Sequence, residues 1–260
     1  MFKGKNTIEI KSPEQIAIMR EAGLVVARTL ARVAKAVQPG VTTAHLDDIA
    51  ARSIASEGAT PSFLGYYGYP AHICTSVNGE VVHGIPSDRV LQDGDLVSID
   101  CGAIVRGWHG DAAISVAVGA VKPEVAALSA ATERSLWAGL GAARVGNRLS
   151  DISHAVEVSL RGAGSFGIVE EYVGHGIGTS MHMHPPVPNY GQPGKGPQLK
   201  VGMALAIEPM ATLGKPEVHV LGDDWTVVTN DHAYAAHWEH TVAITEDGPW
   251  VLTALDDIHL

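Results

Sequence analysis

Asp100, Asp111, Glu208 and Glu239 are the residues of this chain whose surroundings most clearly ask for chemistry. Each lies in or ends a segment that alternates like a β-strand, and strand side chains point to opposite faces in turn. Leu96, Ser98 and Asp100 therefore share one face, while Val97 and Ile99 take the other. Asp111, Ala113 and Ser115 oppose Ala112, Ile114 and Val116. Ala204, Ala206 and Glu208 oppose Leu205 and Ile207, and Glu239, Thr241 and Ala243 oppose Val242 and Ile244. Four times the acid's face is mostly small or polar and the other face carries branched aliphatics. The aliphatic face is expected to pack on helices and the acid face to line a cavity. A buried carboxylate without a partner is costly, and four crowded together repel or protonate. The strands hold no Lys or Arg, so bound metal is the economical counter-charge.

Histidine extends the constellation. His175 stands among glycines in Val173-Gly174-His175-Gly176-Ile177-Gly178, where backbone can approach closely. Seven residues on comes His182, in Met181-His182-Met183-His184, with His184 as its rival. His109, His237 and His240 adjoin ligand candidates and are placed to orient them. His45, His154 and His259 have no such context. Four carboxylates and one imidazole make an oxygen-rich set. It suits Mn²⁺, Fe²⁺ or Co²⁺, with Zn²⁺ and Ni²⁺ as alternatives, better than it suits a structural zinc site. Four acids exceed the needs of one catalytic ion. With two of them bridging, they fit a pair of ions ~3.5–4 Å apart, which can hold a hydroxide and polarise a carbonyl. The sequence contains no His-Glu-x-x-His, no phosphate-binding Gly-x₄-Gly-Lys-Ser/Thr and no Gly-x-Ser-x-Gly, so those chemistries have no support.

The elements that must position these groups read twice along the chain. Ser12-Pro13-Glu14-Gln15 has the form of a capping box with proline in the first turn. Behind it Ile16, Met19, Gly23, Val26, Leu30, Val33 and Val37 recur in steps of three and four, one face of a long helix that ends near Pro39-Gly40. A second helix is expected over Thr43–Glu57, a third from Pro123, and a fourth near Asp151–Arg161. Asn78-Gly79, between apolar runs, predicts a short hairpin. Leu91–Asp100 parallels Leu199–Glu208, with Leu, Gly, Ile and a terminal acid at matching offsets. His83-Gly84-Ile85 recurs as His175-Gly176-Ile177. These repeats suggest two similar halves, about 13–120 and 123–250, related by a pseudo-twofold axis. The expected class is α+β, with helices on one face of a curved antiparallel sheet.

Composition narrows the field. The chain has 260 residues, 46% of them hydrophobic, enough for one sizeable core and a single catalytic domain over 1–260 with a short extension at 1–12. A net charge of −10 argues against DNA as a partner. Residues 1–37 nevertheless carry seven Lys/Arg against three acids, either a solvated helix face or a weak dock for an anionic partner such as a ribosome. Cys74 and Cys101 are the only cysteines, which excludes a disulfide scaffold or a Cys-rich zinc site. The first residues lack the apolar stretch of a signal peptide, and no run approaches the ~20 apolar residues of a membrane span. A cytoplasmic monomer is the expected form.

The motifs Gly65-Tyr66-Tyr67-Gly68-Tyr69-Pro70, Ser76 to Pro86, Gly107-Trp108-His109-Gly110-Asp111, Gly174-His175-Gly176-Ile177-Gly178, Ile207-Glu208-Pro209-Met210 and Glu239-His240-Thr241 occur in an order that resembles bacterial type I methionine aminopeptidases, from about Lys11 to Gly248. The resemblance implies the pita-bread fold and removal of the initiator methionine from nascent chains when the second residue is small, by hydroxide attack at a dinuclear metal centre. It implies metal ligands at Asp100, Asp111, His175, Glu208 and Glu239, with Asp111 and Glu239 bridging. Asp100 would complete one ion's sphere, and His175 with Glu208 the other's. It places His83 and His182 at two substrate-contacting histidines, with Glu208 as proton shuttle. Phe63, Tyr66, Tyr69, Cys74, Met181 and Trp225 would line the methionine pocket. Phe63 departs from the Cys often found there, and Met181 stands where some members have Phe. The alternative is a proline-directed aminopeptidase or prolidase of the same fold. A binding module that has lost its ligands fits poorly, because all five are present.

Overall fold

The computed structural model describes residues 7–260, so the expectation for the first six residues lies outside it. Helix α1 (Pro13–Ala36) opens as its sequence requires. Ser12 Oγ accepts from the Gln15 N–H at 3.3 Å, and Gln15 Oε1 accepts from the Ser12 N–H at 2.8 Å, which satisfies two donors that a helix start leaves unpaired. Helix α2 (Thr43–Ser56) stops one residue before the expected end, with Glu57 as its C-cap. Helices α3 (Pro123–Ala142) and α4 (Leu149–Ala163) form the second pair. The fourth runs two residues further at each end than its sequence pattern indicates.

A ten-stranded sheet carries the site. Its strands are β1 (Thr60–Pro61), β2 (Ile73–Val77), β3 (Leu96–Val105), β4 (Trp108–Ala117), β5 (Gly174–Gly176), β6 (Met183–Val187), β7 (Ala204–Ile207), β8 (Glu239–Thr245), β9 (Gly248–Val251) and β10 (Ile258–His259). The main path runs β1-β3-β4-β8-β7-β5-β6, with β2 also on β3 and β9 and β10 extending from β8. All its pairings are antiparallel.

The expected division of faces holds. Val97, Ile99, Cys101 and Ala112 form one core with Val26, Leu30 and Val33 of α1 and Leu46 and Ile54 of α2. Leu205, Ile207, Val242 and Ile244 form another with Leu128, Leu136 and Leu140 of α3 and Ile152 and Val156 of α4. Each buried Val, Leu or Ile among them contributes ~1.5–3 kcal/mol relative to exposure, and this holds the helices to one face of the sheet. Arg20 anchors the end of the chain to α1. Its guanidinium donates to the carbonyls of Leu252 at 2.8 Å, Ala254 at 2.5 Å and Asp256 at 3.1 Å.

The two halves use one connection twice. The Gly40 and Gly146 N–H groups donate to the Leu91 and Leu199 carbonyls, and the Leu91 and Leu199 N–H groups donate back to Val41 and Asn147. Gly40, Gly146, Gly94 and Gly202 all have φ between 87° and 95°, a left-handed backbone that glycine adopts without steric cost. Across the seam between the halves the ladder is short. Strands β4 and β8 register through Glu239↔Ala113 and His240↔Ala112, whereas β3 and β4 pair from end to end.

Two expectations need correction. Asn78-Gly79 makes a tight turn, with Asn78 at φ 60°, but no hairpin ladder follows. Strand β2 pairs with β3, and Glu80–Val82 joins a separate sheet beside Val227–Thr229. Side chains tie the turn elsewhere. The Glu80 carboxylate takes the Val77 N–H at 2.7 Å, and Asn78 donates to Asp95 at 2.8 Å and accepts from the Leu96 N–H at 2.9 Å. The His-Gly-Ile recurrence is also not part of the repeat. His175 lies in β5 opposite Ala206, and the matching position opposite Ser98 is Ser76. His83 sits outside any strand at φ 61°.

Candidate active site

The alternation of four strands and one glycine-rich segment brings five ligand candidates to a single point. Asp100 faces inward from the middle of β3 and Asp111 from β4. Glu239 opens β8, Glu208 directly follows β7, and His175 is the centre of β5. Ligating atoms of Asp111, His175 and Glu239 all lie within 4.8 Å of one another. His175 Nε2 is 3.5 Å from Glu208 Oε1, and His237 Nε2 is 3.5 Å from Glu208 Oε2. His175 Nδ1 faces the Gly176 carbonyl at 3.0 Å, which turns Nε2 toward the acids.

The surrounding hydrogen bonds fix the acids from behind. Thr241 Oγ1 donates to the Asp111 carbonyl at 2.8 Å and accepts the Asp111 N–H at 3.1 Å. Asn189 Nδ2 donates to the Glu208 carbonyl at 3.0 Å. The His237 backbone N–H donates to Ser115 Oγ at 3.0 Å, and Ser115 Oγ donates to the His237 carbonyl at 3.0 Å.

Burial dominates the electrostatics. It lifts the Asp100 and Glu208 carboxyls to about 7, and it drives Asp111 and Glu239 well above the ordinary carboxylate range, with repulsion from the Asp100 and Glu208 carboxylates adding to the rise of both. It lowers His175 and His237, so both are neutral imidazoles in neutral solution. Asp100 Oδ1, Asp111 Oδ1 and Glu239 Oε1 are buried without a hydrogen-bond donor. Buried polar atoms are rarely left so. Three orphaned carboxylate oxygens and a neutral imidazole in one small space fit divalent cations, whose charge would hold all four acids ionised.

Next to this cluster opens a cavity of about 530 Å³. The five ligand candidates line it together with His83, His182 and all six predicted pocket residues. Phe63 packs edge-to-face on Tyr69 with ring centroids 6.4 Å apart, and Tyr69 packs on Trp225 at 5.0 Å. Cys74 and Met181 complete this apolar cluster, with Tyr66 against it. The Tyr69 hydroxyl lies 3.1 Å from the Ile73 carbonyl and 3.0 Å from that of Gly84, which spares the apolar slot an unpaired polar atom. His182 Nδ1 meets the Tyr66 hydroxyl at 2.9 Å, and its ring lies 4.4 Å from that of His175. His83 stands between Tyr172 and Trp225, at 5.6 and 6.3 Å. Burial lowers His83 to about 4 and His182 to about 2, so both are neutral in neutral solution.

The lesser candidates separate. His182 lines the cavity and His184 does not. Of the three histidines beside ligand positions, His237 reaches Glu208. His240 points to the far face, with Nδ1 2.8 Å from Thr253 Oγ1 and its ring against Trp137. His109 contacts Ser62 Oγ at 3.0 Å rather than an acid. Val82, Tyr172 and Met210 also line the cavity, and Asn189 holds Glu208. Val82 and Met210 lie inside motifs named from the sequence without being singled out there, and Tyr172 and Asn189 carry no sequence signal.

The chain belongs to metallopeptidase family M24, whose profile matches residues 17–246. Use of divalent metal follows from that membership. Within the family, it is 55% identical over 258 residues to the protein named methionine aminopeptidase 1 of Mycobacterium tuberculosis, covering 97% of each chain. The crystal structure of methionine aminopeptidase from Thermotoga maritima superposes with a TM-score of 0.93 at 41% identity, covering 95% of this chain and 100% of that one. Prolidase from Pyrococcus furiosus, at 21% identity and a TM-score of 0.76, shares the fold alone, and this chain spans 66% of it. The fold is the pita bread of these enzymes.

Proposed function

We propose that the chain is a methionine aminopeptidase that removes the initiator methionine of nascent polypeptides when the second residue is small. The observation that carries this reading is the junction of a buried carboxylate cluster with an apolar slot in one cavity. An unbranched thioether side chain suits a slot walled by aromatic rings, Cys74 and Met181. The 55% identity to a relative of that name supports the same reading.

Asp100, Asp111, His175, Glu208 and Glu239 would together hold the divalent metal; Mn²⁺, Fe²⁺ and Co²⁺ suit this oxygen-rich set. When bound, the ions supply an activated water and polarise the scissile carbonyl. Thr241 and Asn189 keep the ligand strands in register while this happens. With Nδ1 accepting the Tyr66 hydroxyl proton, the neutral His182 carries its single N–H at Nε2 and donates it to the developing oxyanion. His83, neutral and beside Trp225, hydrogen-bonds the scissile amide or leaving amine. Glu208 carries a proton from the attacking water to that amine. Phe63, Tyr66, Tyr69, Cys74, Met181 and Trp225 hold the methionine side chain.

The enzyme is proposed to act as a cytoplasmic monomer on chains leaving the ribosome. No helix of the described residues is long and apolar enough to cross a membrane, and the net charge of −10 gives no general affinity for DNA. The deciding experiment measures cleavage of Met-Ala-Ser and of an X-Pro dipeptide after chelation and return of each metal in turn. Metal-dependent release of methionine from Met-Ala-Ser alone is the expected result. Preference for X-Pro would move the chain to the proline-directed relatives.

A further inference from the structure

The segment ahead of α1 reads in the sequence as a short extension, yet it reaches the wall of the cavity. Met181 and His182 lie at the end of a connection, residues 177–182, between β5 and β6. At its ends the Ile177 N–H donates to the Ala204 carbonyl at 3.2 Å and His182 Nδ1 meets the Tyr66 hydroxyl. Between them the Gly178 carbonyl accepts the His109 N–H at 3.0 Å, and the Gly178 N–H closes on the Ser180 carbonyl at 3.1 Å. A further fixed point, in the middle of the connection, comes from the other end of the chain. Glu9 Oε1 accepts the Thr179 hydroxyl at 2.8 Å and Glu9 Oε2 accepts the Thr179 N–H at 3.2 Å, a bidentate grip on one residue.

Glu9 is itself held in place. Lys11 Nζ lies 3.4 Å from Glu9 Oε2 and donates to the Glu9 carbonyl at 3.2 Å. The Lys11 side chain is only 2% exposed. A buried ammonium requires a counter-charge, and Glu9 supplies it. The Lys11 N–H also donates to the Gly202 carbonyl at 2.8 Å, which ties the segment to the turn leading into β7. The pair is packed against Gly178 so closely that a Cβ there would strike Glu9 Oε2 and lie 2.6 Å from Lys11 Cε.

We propose that Glu9, fixed by Lys11, positions the 177–182 connection through Thr179 and so sets the placement of Met181 and His182 against the substrate methionine. Glu9 and Thr179 are positioning residues, since neither lines the cavity. The inference rests on the methionine aminopeptidase reading above.

The test uses the full metal-loaded chain and Met-Ala-Ser, with T179V, T179S, E9Q and the double variant E9Q/T179V. T179V and E9Q are each expected to lower kcat/KM by about tenfold. T179S, which keeps the hydroxyl, stays within about twofold of wild type. The double variant loses no more than the worse single one, because both changes cut the same link. Metal content by elemental analysis stays at the wild-type value in all four, and Tm stays within about 4 °C for T179V and T179S, whereas E9Q and the double variant melt lower because Lys11 loses its counter-charge. A T179V enzyme with unimpaired kcat/KM, a T179S enzyme as impaired as T179V, or a loss of metal in parallel with activity each overturns the positioning role. If the wild-type chain fails to cleave Met-Ala-Ser, the activity reading falls and takes this inference with it.

Discussion

Removing the metal should leave a protein that becomes less stable as the pH rises through neutrality. Burial raises the Asp100 and Glu208 carboxyls from 3.8 and 4.5 to about 7 in the folded chain. In the unfolded chain both ionise near their ordinary values. Above that range the unfolded state binds fewer protons than the folded state, so stability falls with pH. The favourable contribution is complete below pH ~4 and is lost as pH climbs to ~7. At ~1.4 kcal/mol per pH unit, Asp100 accounts for ~4 kcal/mol and Glu208 for ~3 kcal/mol, and the two are not additive because they share one site. For a chain of this size ~3 kcal/mol corresponds to roughly 10 °C in Tm. Surface acids work in the opposite sense. Glu57, held down by Arg28 through a hydrogen bond, gains stability as pH rises. The useful quantity is therefore the difference between wild type and Glu208→Gln. Thermal melts of both proteins, stripped of metal by dialysis and scanned from pH 4 to 8, isolate the Glu208 share. The wild type should lose ground to Glu208→Gln across that window, and Mn²⁺ should reverse the loss for wild type. Parallel melting curves at every pH would refute the argument that these carboxylates are strained by burial.

Asp111→Ala should abolish metal uptake and lower turnover by at least ~10³-fold, read by elemental analysis and by methionine release; retained activity would remove Asp111 from the site. Trp225→Ala opens one wall of the apolar slot, so KM for Met-Ala-Ser should rise about tenfold with kcat less affected, as steady-state kinetics will report. Arg20→Ala leaves the carbonyls of Leu252, Ala254 and Asp256 without their donor. It should cost about 2–4 kcal/mol in urea unfolding while metal content of the folded protein is unchanged.

Much of the site was legible because its signals are local. Strand alternation alone divides Asp100 from Ile99 and Glu208 from Ile207, and the capping box at Ser12 fixes a helix start. The positions that escaped detection depend on partners far away in the chain. Asn78-Gly79 has the composition of a hairpin turn, but Asp95 and Leu96 capture Asn78 and send the next strand to a different sheet. His83-Gly84-Ile85 imitates His175-Gly176-Ile177 in letters only, since backbone conformation and ladder register differ. His237 shares its candidacy in the sequence with His109 and His240, and only folding singles it out, 3.5 Å from Glu208. The contact of Glu9 with Thr179 spans 170 positions, and neither residue type signals it.

The short seam between the halves has a further consequence. Asp100 and Asp111 come from one side of it, and His175, Glu208 and Glu239 from the other, while only two residue pairs stitch β4 to β8. Cations held by these residues as proposed would be gripped from both sides and would act as a rivet as well as a reagent, beside the Thr241–Asp111 and Ser115–His237 bonds that also cross the seam. Any motion that parts the halves would then also dismantle the catalyst. On that reading rigidity at the seam is a condition of turnover, and flexibility is left to the connections around the cavity mouth.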